Sequence, residues 1–185
     1  MSEPIRLTTP LTDDATRSLN SGDSVLLSGV VYTARDAAHA RLIDLLRQGK
    51  PLPIDLTGQV IYYVGPTPEK PGQVIGSAGP TTSGRMDSFT PELLAAGLKG
   101  MIGKGLRNDS VRDSIQEHSA VYFAATGGAA AMLCKRIVSC EIVAYDDLGC
   151  EAIRRLEVKD LPLIVINDCY GHDFYRENQA KYART

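Results

Sequence analysis

Short β-branched and apolar runs, each about one strand long, alternate with glycine- and proline-marked breaks, and this punctuation limits what the chain can build. Ser24–Thr33 (SVLLSGVVYT) reads as a buried strand and 60–64 (VIYYV) and 120–124 (AVYFA) as strands, with further candidates at 5–10, 74–75, 101–105, 140–144, 153–158 and 163–166. Between them the period changes. From Asp36, residues Ala37, Ala38, Ala40, Leu42, Ile43, Leu45 and Leu46 form a helical apolar stripe, ended by Gly49 and Pro51. Thr12 or Asp13 caps a brief turn through Leu19, and Thr90 as N-cap with Pro91 at the first helical position opens a helix through Leu98. Further helices are expected over 109–117, over the small-residue run 127–133 and in the polar tail from Asp173 to Thr185. Strands and helices alternate irregularly, so the fold class is α/β, a layered domain with a mixed sheet spanning residues 1–185.

Several function classes are excluded at this stage. Lys and Arg number 20 against 22 Asp and Glu, a net charge of -2, which argues against gripping nucleic acid by bulk positive charge. No apolar stretch approaches the ~20 residues of a membrane span. The opening MSEPIRLTTPLTDDA lacks the basic and apolar parts of a secretory signal, so a soluble cytoplasmic protein is expected. Cys134, Cys140, Cys150 and Cys169 contain no CxxC pair and match neither zinc-ribbon nor cluster spacing; they read as buried thiols, and no metal site is expected. His39, His118 and His172 have no ligand spacing between them.

Three segments set a cation beside glycine or a hydroxyl: TARD (33–36), TTSGR (81–85) and GKG (103–105), each after an expected strand. Loops at strand ends of α/β proteins converge on clefts. Arg35, Arg85 and Lys104 in one cleft suit an anion with several carboxylates, since arginine grips a carboxylate through two parallel hydrogen bonds. Thr and Ser hydroxyls would add donors. GPTTSGR is not a phosphate loop, because it lacks the G-x-x-x-x-G-K-[ST] order. The plainer alternative stays open here: each cation is a surface or ion-paired residue, with Asp36 the adjacent partner of Arg35.

Five segments carry a resemblance: LSGVVYTARDAAH (27–39), YYVGP (62–66), GPTTSGRMD (79–87), GMIGKG (100–105) and LEVKDLPLIVINDCYG (156–171). In this order they resemble the β subunit, or C-terminal domain, of the class I iron–sulfur fumarases and L-tartrate dehydratases. The resemblance implies a swivelling β/β/α domain that is half of a hydro-lyase. An α subunit would bind a [4Fe-4S] cluster through its own cysteines, and the two chains would form a hetero-oligomer, a dimer of αβ pairs. The substrate would be a small dicarboxylate: fumarate, hydrated to malate, or alternatively tartrate or mesaconate. A non-catalytic dicarboxylate-binding or assembly module is the remaining alternative. The resemblance assigns carboxylate binding to Arg35, Arg85 and Lys104, with Thr82 and Ser83 beside them. It assigns proton transfer to the Thr81 hydroxyl and support of Arg35 to Asp36 and His39.

Overall fold

The computed structural model describes residues 3–125 and 130–182. Five strands run parallel in one spatial series: β1 (Ile5–Thr8), β2 (Ser24–Thr33), β3 (Val60–Tyr62), β4 (Gly100–Gly103) and β5 (Val121–Ala124). The long β7 (Ile153–Asn167) runs antiparallel to both β5 and β2, so the series closes on itself. Strand β6 (Ile137–Ala144) pairs with the outer edge of β7.

Period-two alternation explains the closure. Tyr62, Ile102, Val121 and Phe123 point to one apolar cluster, lined by the sheet itself. Ile61, Tyr63, Met101 and Tyr122, one residue along, point to a second cluster. Helices α2 (Asp36–Arg47), α3 (Thr90–Ala95) and α4 (Asp109–Glu117) cover the second face through Leu42, Ile43, Leu93, Leu94 and Ile115. Strands buried on both sides read as continuous apolar runs, as 60–64 and 120–124 do. Shorter helices are α1 (Asp13–Arg17), capped by the Thr12 hydroxyl, α5 (Ala130–Leu133) and α6 (Phe174–Tyr182). The first part of the small-residue helix expected over 127–133 lies outside the described residues, as do residues 183–185 of the tail.

Three local expectations are corrected. Residues 153–158 and 163–166 belong to a single strand that passes through Pro162. Asp160 adopts a left-handed backbone (φ 49°), and its N–H bonds to the Ser28 hydroxyl where the β2–β7 register shifts, which absorbs the irregularity. Thr90 is not the cap of α3 but its first residue. Its hydroxyl donates back to the Met86 carbonyl, and Phe89 occupies the cap position. The expected strand at 74–75 is absent. Residues 81–83 instead lie between the ends of β3 and β4 as a fragment of parallel ladder: Thr81 N–H to Tyr63 O, Lys104 N–H to Thr81 O, and Ser83 N–H to Lys104 O.

No helix among the described residues is long and apolar enough to cross a membrane.

Candidate functional site

The carboxyl ends of the parallel strands bring the three cationic segments to one edge of the sheet. Arg35 follows β2 and caps α2; Lys104 follows β4; and the ladder of residues 81–83 holds the loop that carries Arg85 against Lys104. Loops held at strand ends by a rigid sheet are where binding residues concentrate.

Asp36 joins the two arginines. The Arg85 Nε donates to Asp36 Oδ1 at 2.9 Å, and its Nη2 lies 2.9 Å from Oδ2, an ion pair too bent to count as a second hydrogen bond. The Arg35 Nη2 lies 3.9 Å from that same Oδ2. Asp36 therefore faces the Nε–Nη2 side of the Arg85 guanidinium and leaves the Nη1–Nη2 end for a ligand. Arg35 is mostly covered, its side chain 18% exposed, whereas Arg85 is 53% exposed. Gly65 permits this burial, because a Cβ there would stand 2.7 Å from the Arg35 Nη1. Glu151 supplies the second carboxylate: one oxygen lies 3.5 Å from Arg35 Nη2, and the other accepts the Ala37 N–H at the start of α2. Lys104 is exposed, and its ammonium pairs with no carboxylate among the described residues.

The hydroxyls divide. Thr81 is half-buried and donates both its N–H and its Oγ1–H to the Tyr63 carbonyl, at 2.8 and 2.9 Å, leaving its oxygen lone pairs open. Thr82 is exposed at the edge. Ser83, expected among the ligand-facing hydroxyls, points the other way. It is fully buried, and its Oγ lies 2.9 Å from the Tyr122 hydroxyl, which itself donates to the Gly105 carbonyl. The Tyr122 proton being committed to Gly105, Ser83 is the donor in that pair. Burial holds the Tyr122 phenol protonated far above its ordinary range. A side chain at Gly103 would collide with the Ser83 hydroxyl, which accounts for the glycine before Lys104.

His39 sits under Arg35. It is fully buried, edge-on to the Tyr63 ring, and its Nδ1 lies 2.8 Å from the Arg35 carbonyl. A carbonyl only accepts, so Nδ1 carries the proton. Burial, assisted by the nearby Arg107 charge, pushes its pKa down to about 4, against the bond to Arg35. His39 is thus neutral near pH 7. The unfolded chain takes up a proton near pH 6.5 and the folded chain only near 4, so stability falls as the pH drops through that window. The loss is about 3 kcal/mol. Urea midpoints measured at pH 7.5 and pH 5 are expected to differ by more in the native chain than in His39→Gln. An equal difference in both would refute the assignment.

Two residues that matter here carry no sequence signal. Glu151 lies in an irregular turn far along the chain, and Arg107 is a buried cation behind an exposed loop. The cysteines do not converge: Cys140 and Cys150 line one cleft beside Arg154, Cys134 lines another beside Val74 and Ile75, and Cys169 lies against Thr16. Among the described residues no group of three or more His, Cys, Asp or Glu side chains is arranged to hold a metal. The described residues thus show no ligand set for an iron–sulfur cluster.

Known proteins resemble this chain along most of its length. The family model described as Fumarase C-terminus matches residues 1–178. The aerobic class I fumarate hydratase of Escherichia coli strain K12 is 41% identical over 155 residues, 83% of this chain and 28% of that protein. Fumarate hydratase 2 of Leishmania major is 37% identical over 163 residues, 86% of this chain and 28% of that protein. This chain thus spans little more than a quarter of those two relatives. A Methanocaldococcus jannaschii protein, provisionally named the beta subunit of L(+)-tartrate dehydratase, is 37% identical over 177 residues, 92% of this chain and 91% of that protein.

Proposed function

The chain belongs to the fumarase C-terminus family, and from that premise we propose that it is the β part of a two-part hydro-lyase adding water to fumarate to give malate. The observation that carries this reading is the meeting of Arg35 and Arg85 at one carboxylate, Asp36, at the strand edge that also bears Lys104. Cations at one edge, one of them without a carboxylate partner among the described residues, suit a ligand with two carboxylates. The exposure of Arg85 and Lys104 supports a site completed by a second protein surface. The iron–sulfur cluster of such enzymes is assigned to that α partner, in keeping with the scattered cysteines here. The assembly is a dimer of αβ pairs in the cytoplasm.

The chain's own residues have three tasks in this reaction. Arg85 and Lys104 bind the substrate carboxylates, with Arg35, held from behind by Glu151, at the inner end of the site. When a proton is exchanged at the carbon next to a carboxylate, that carboxylate gains negative charge. Fixed cations in a closed, dry site stabilise this charge more than they stabilise the ground state. Thr81 moves the proton at its Oγ1. An ordinary threonine hydroxyl is a very weak base, and the neighbouring cations provide its activation. Thr82 contributes a hydroxyl at the rim. Ser83 acts indirectly, by holding the loop.

Tartrate is the second candidate substrate, favoured by the Methanocaldococcus relative that this chain matches almost end to end. Assays of the co-expressed pair with fumarate, mesaconate and tartrate decide between them. Turnover of a dicarboxylate is expected only from the pair. Iron-independent hydration of fumarate by this polypeptide alone would overturn the two-part reading.

A further inference from the structure

Arg107 is among the largest fully buried side chains of the described residues, and it is a cation. A guanidinium taken out of water loses its hydration and persists only where charge and hydrogen bonds replace it. Its Nε donates to Asp87 at 2.7 Å and its Nη2 to Thr90 Oγ1 at 2.7 Å. Its Cζ lies 5.0 Å from the Tyr122 ring centre and 5.4 Å from that of Tyr63, so the cation is packed against two aromatic rings.

This cluster reaches each loop that presents a cation. The second Asp87 oxygen accepts the Asn108 N–H at 2.8 Å, tying the Arg85 loop to the segment after Lys104. The Tyr122 hydroxyl bridges Ser83 of one loop and Gly105 of the other. The Tyr63 carbonyl holds Thr81, and the Tyr63 ring packs on His39, which bonds the Arg35 carbonyl. The exposed cations thus stand on short loops whose separation is set from beneath.

We propose that Arg107 and Tyr122 are positioning residues that fix the spacing of Arg85 and Lys104, and thereby the length of diacid the site accepts. This rests on the dicarboxylate reading above. Neither residue is exposed to a ligand; each acts through the loops it bridges. Misplacing a binding group by about 1 Å costs on the order of 100-fold in rate. The longer diacid, with more internal freedom, tolerates a shifted pair of cations better than the shorter one.

The test uses the co-expressed, cluster-loaded enzyme and two unreactive competitors, succinate with four carbons and glutarate with five. In the native enzyme succinate is expected to inhibit more tightly. In Tyr122→Phe, which keeps the ring and removes the bridging oxygen, the succinate inhibition constant is expected to rise about tenfold. The glutarate constant is expected to change little, so the ratio collapses. Arg107→Lys, which keeps the charge and loses the fork, is expected to show the same collapse. A purely structural role would lower the melting midpoint and leave the ratio unchanged; that result, at native kcat per loaded site, would overturn the proposal. Failure of both variants to fold would also overturn it, since the cluster would then determine folding rather than spacing. If the native enzyme is not inhibited by succinate at all, the dicarboxylate reading itself fails, and that outcome is distinct from an unchanged ratio.

Discussion

Arg85→Ala, made in this chain and assayed in the assembled enzyme, is expected to lower kcat for the dicarboxylate about 100-fold or more, the usual cost of removing one fixed donor aimed at a developing anion. The guanidinium is half exposed, yet it does not hang free. Asp36 holds its Nε side at 2.9 Å and directs the remaining edge outward. That arrangement is built before substrate arrives, so little reorganisation accompanies the reaction. Because Arg85 binds the carboxylate in the ground state and holds the extra charge of the transition state more tightly, KM should rise as kcat falls, so that kcat/KM falls further than kcat. Arg85→Lys restores the charge without the two-pronged geometry and is expected to recover only part of the loss. Steady-state kinetics on iron-replete enzyme read the result. A variant within threefold of native turnover would remove Arg85 from the chemistry.

The second large effect concerns stability. Asp87→Ala removes the carboxylate that pairs with the buried Arg107 and also accepts the Asn108 N–H. Arg107 is 1% exposed, so its charge is left without compensation and without water. Breaking one side of such a pair costs about 3–5 kcal/mol. For a chain of this length that lowers the melting midpoint by roughly 10 °C. Asp87→Asn, which keeps an acceptor for Asn108 but not the charge, is expected to fall between alanine and native. Thermal unfolding followed by circular dichroism measures both. A loss below about 1 kcal/mol would mean that the guanidinium is stabilised mainly by Tyr63, Tyr122 and Thr90.

These two aspartates show where sequence reading stops. The runs at 24–33, 60–64 and 120–124 announce their strands, because a strand buried on both faces needs apolar residues throughout. The cations at 35, 85 and 104 stand out because each interrupts a glycine or hydroxyl context at the end of such a run. What a linear reading lacks is the direction of each side chain once the sheet closes. Ser83 looks like a ligand-facing hydroxyl beside Thr81 and Thr82. Ser83 instead opens a short 3-10 turn, Ser83–Met86, and its Oγ meets the buried Tyr122 hydroxyl. Asp36 reads as the neighbour of Arg35, yet its nearer partner is Arg85, at 2.9 Å against 3.9 Å. Glu151 reaches Arg35 only because β7 returns antiparallel along β2 and brings the turn before it to the same edge. Arg107 follows the exposed residues 104–106, and only the packed rings of Tyr63 and Tyr122 reveal that it is buried. Pro162 suggests a break where the structure runs one long strand, the irregularity being taken up at Asp160. Each of these features depends on a partner distant in the chain.

The most direct measurement is a crystal structure of this chain with its α partner and a bound four-carbon dicarboxylate. The ligand's carboxylates are expected within hydrogen-bonding distance of the outer edge of Arg85 and of the Lys104 ammonium, with Arg35 behind them and the Thr81 hydroxyl near the carbon that exchanges its proton. A diacid bound elsewhere, with residues 35, 85 and 104 all facing solvent or a protein carboxylate, would contradict it.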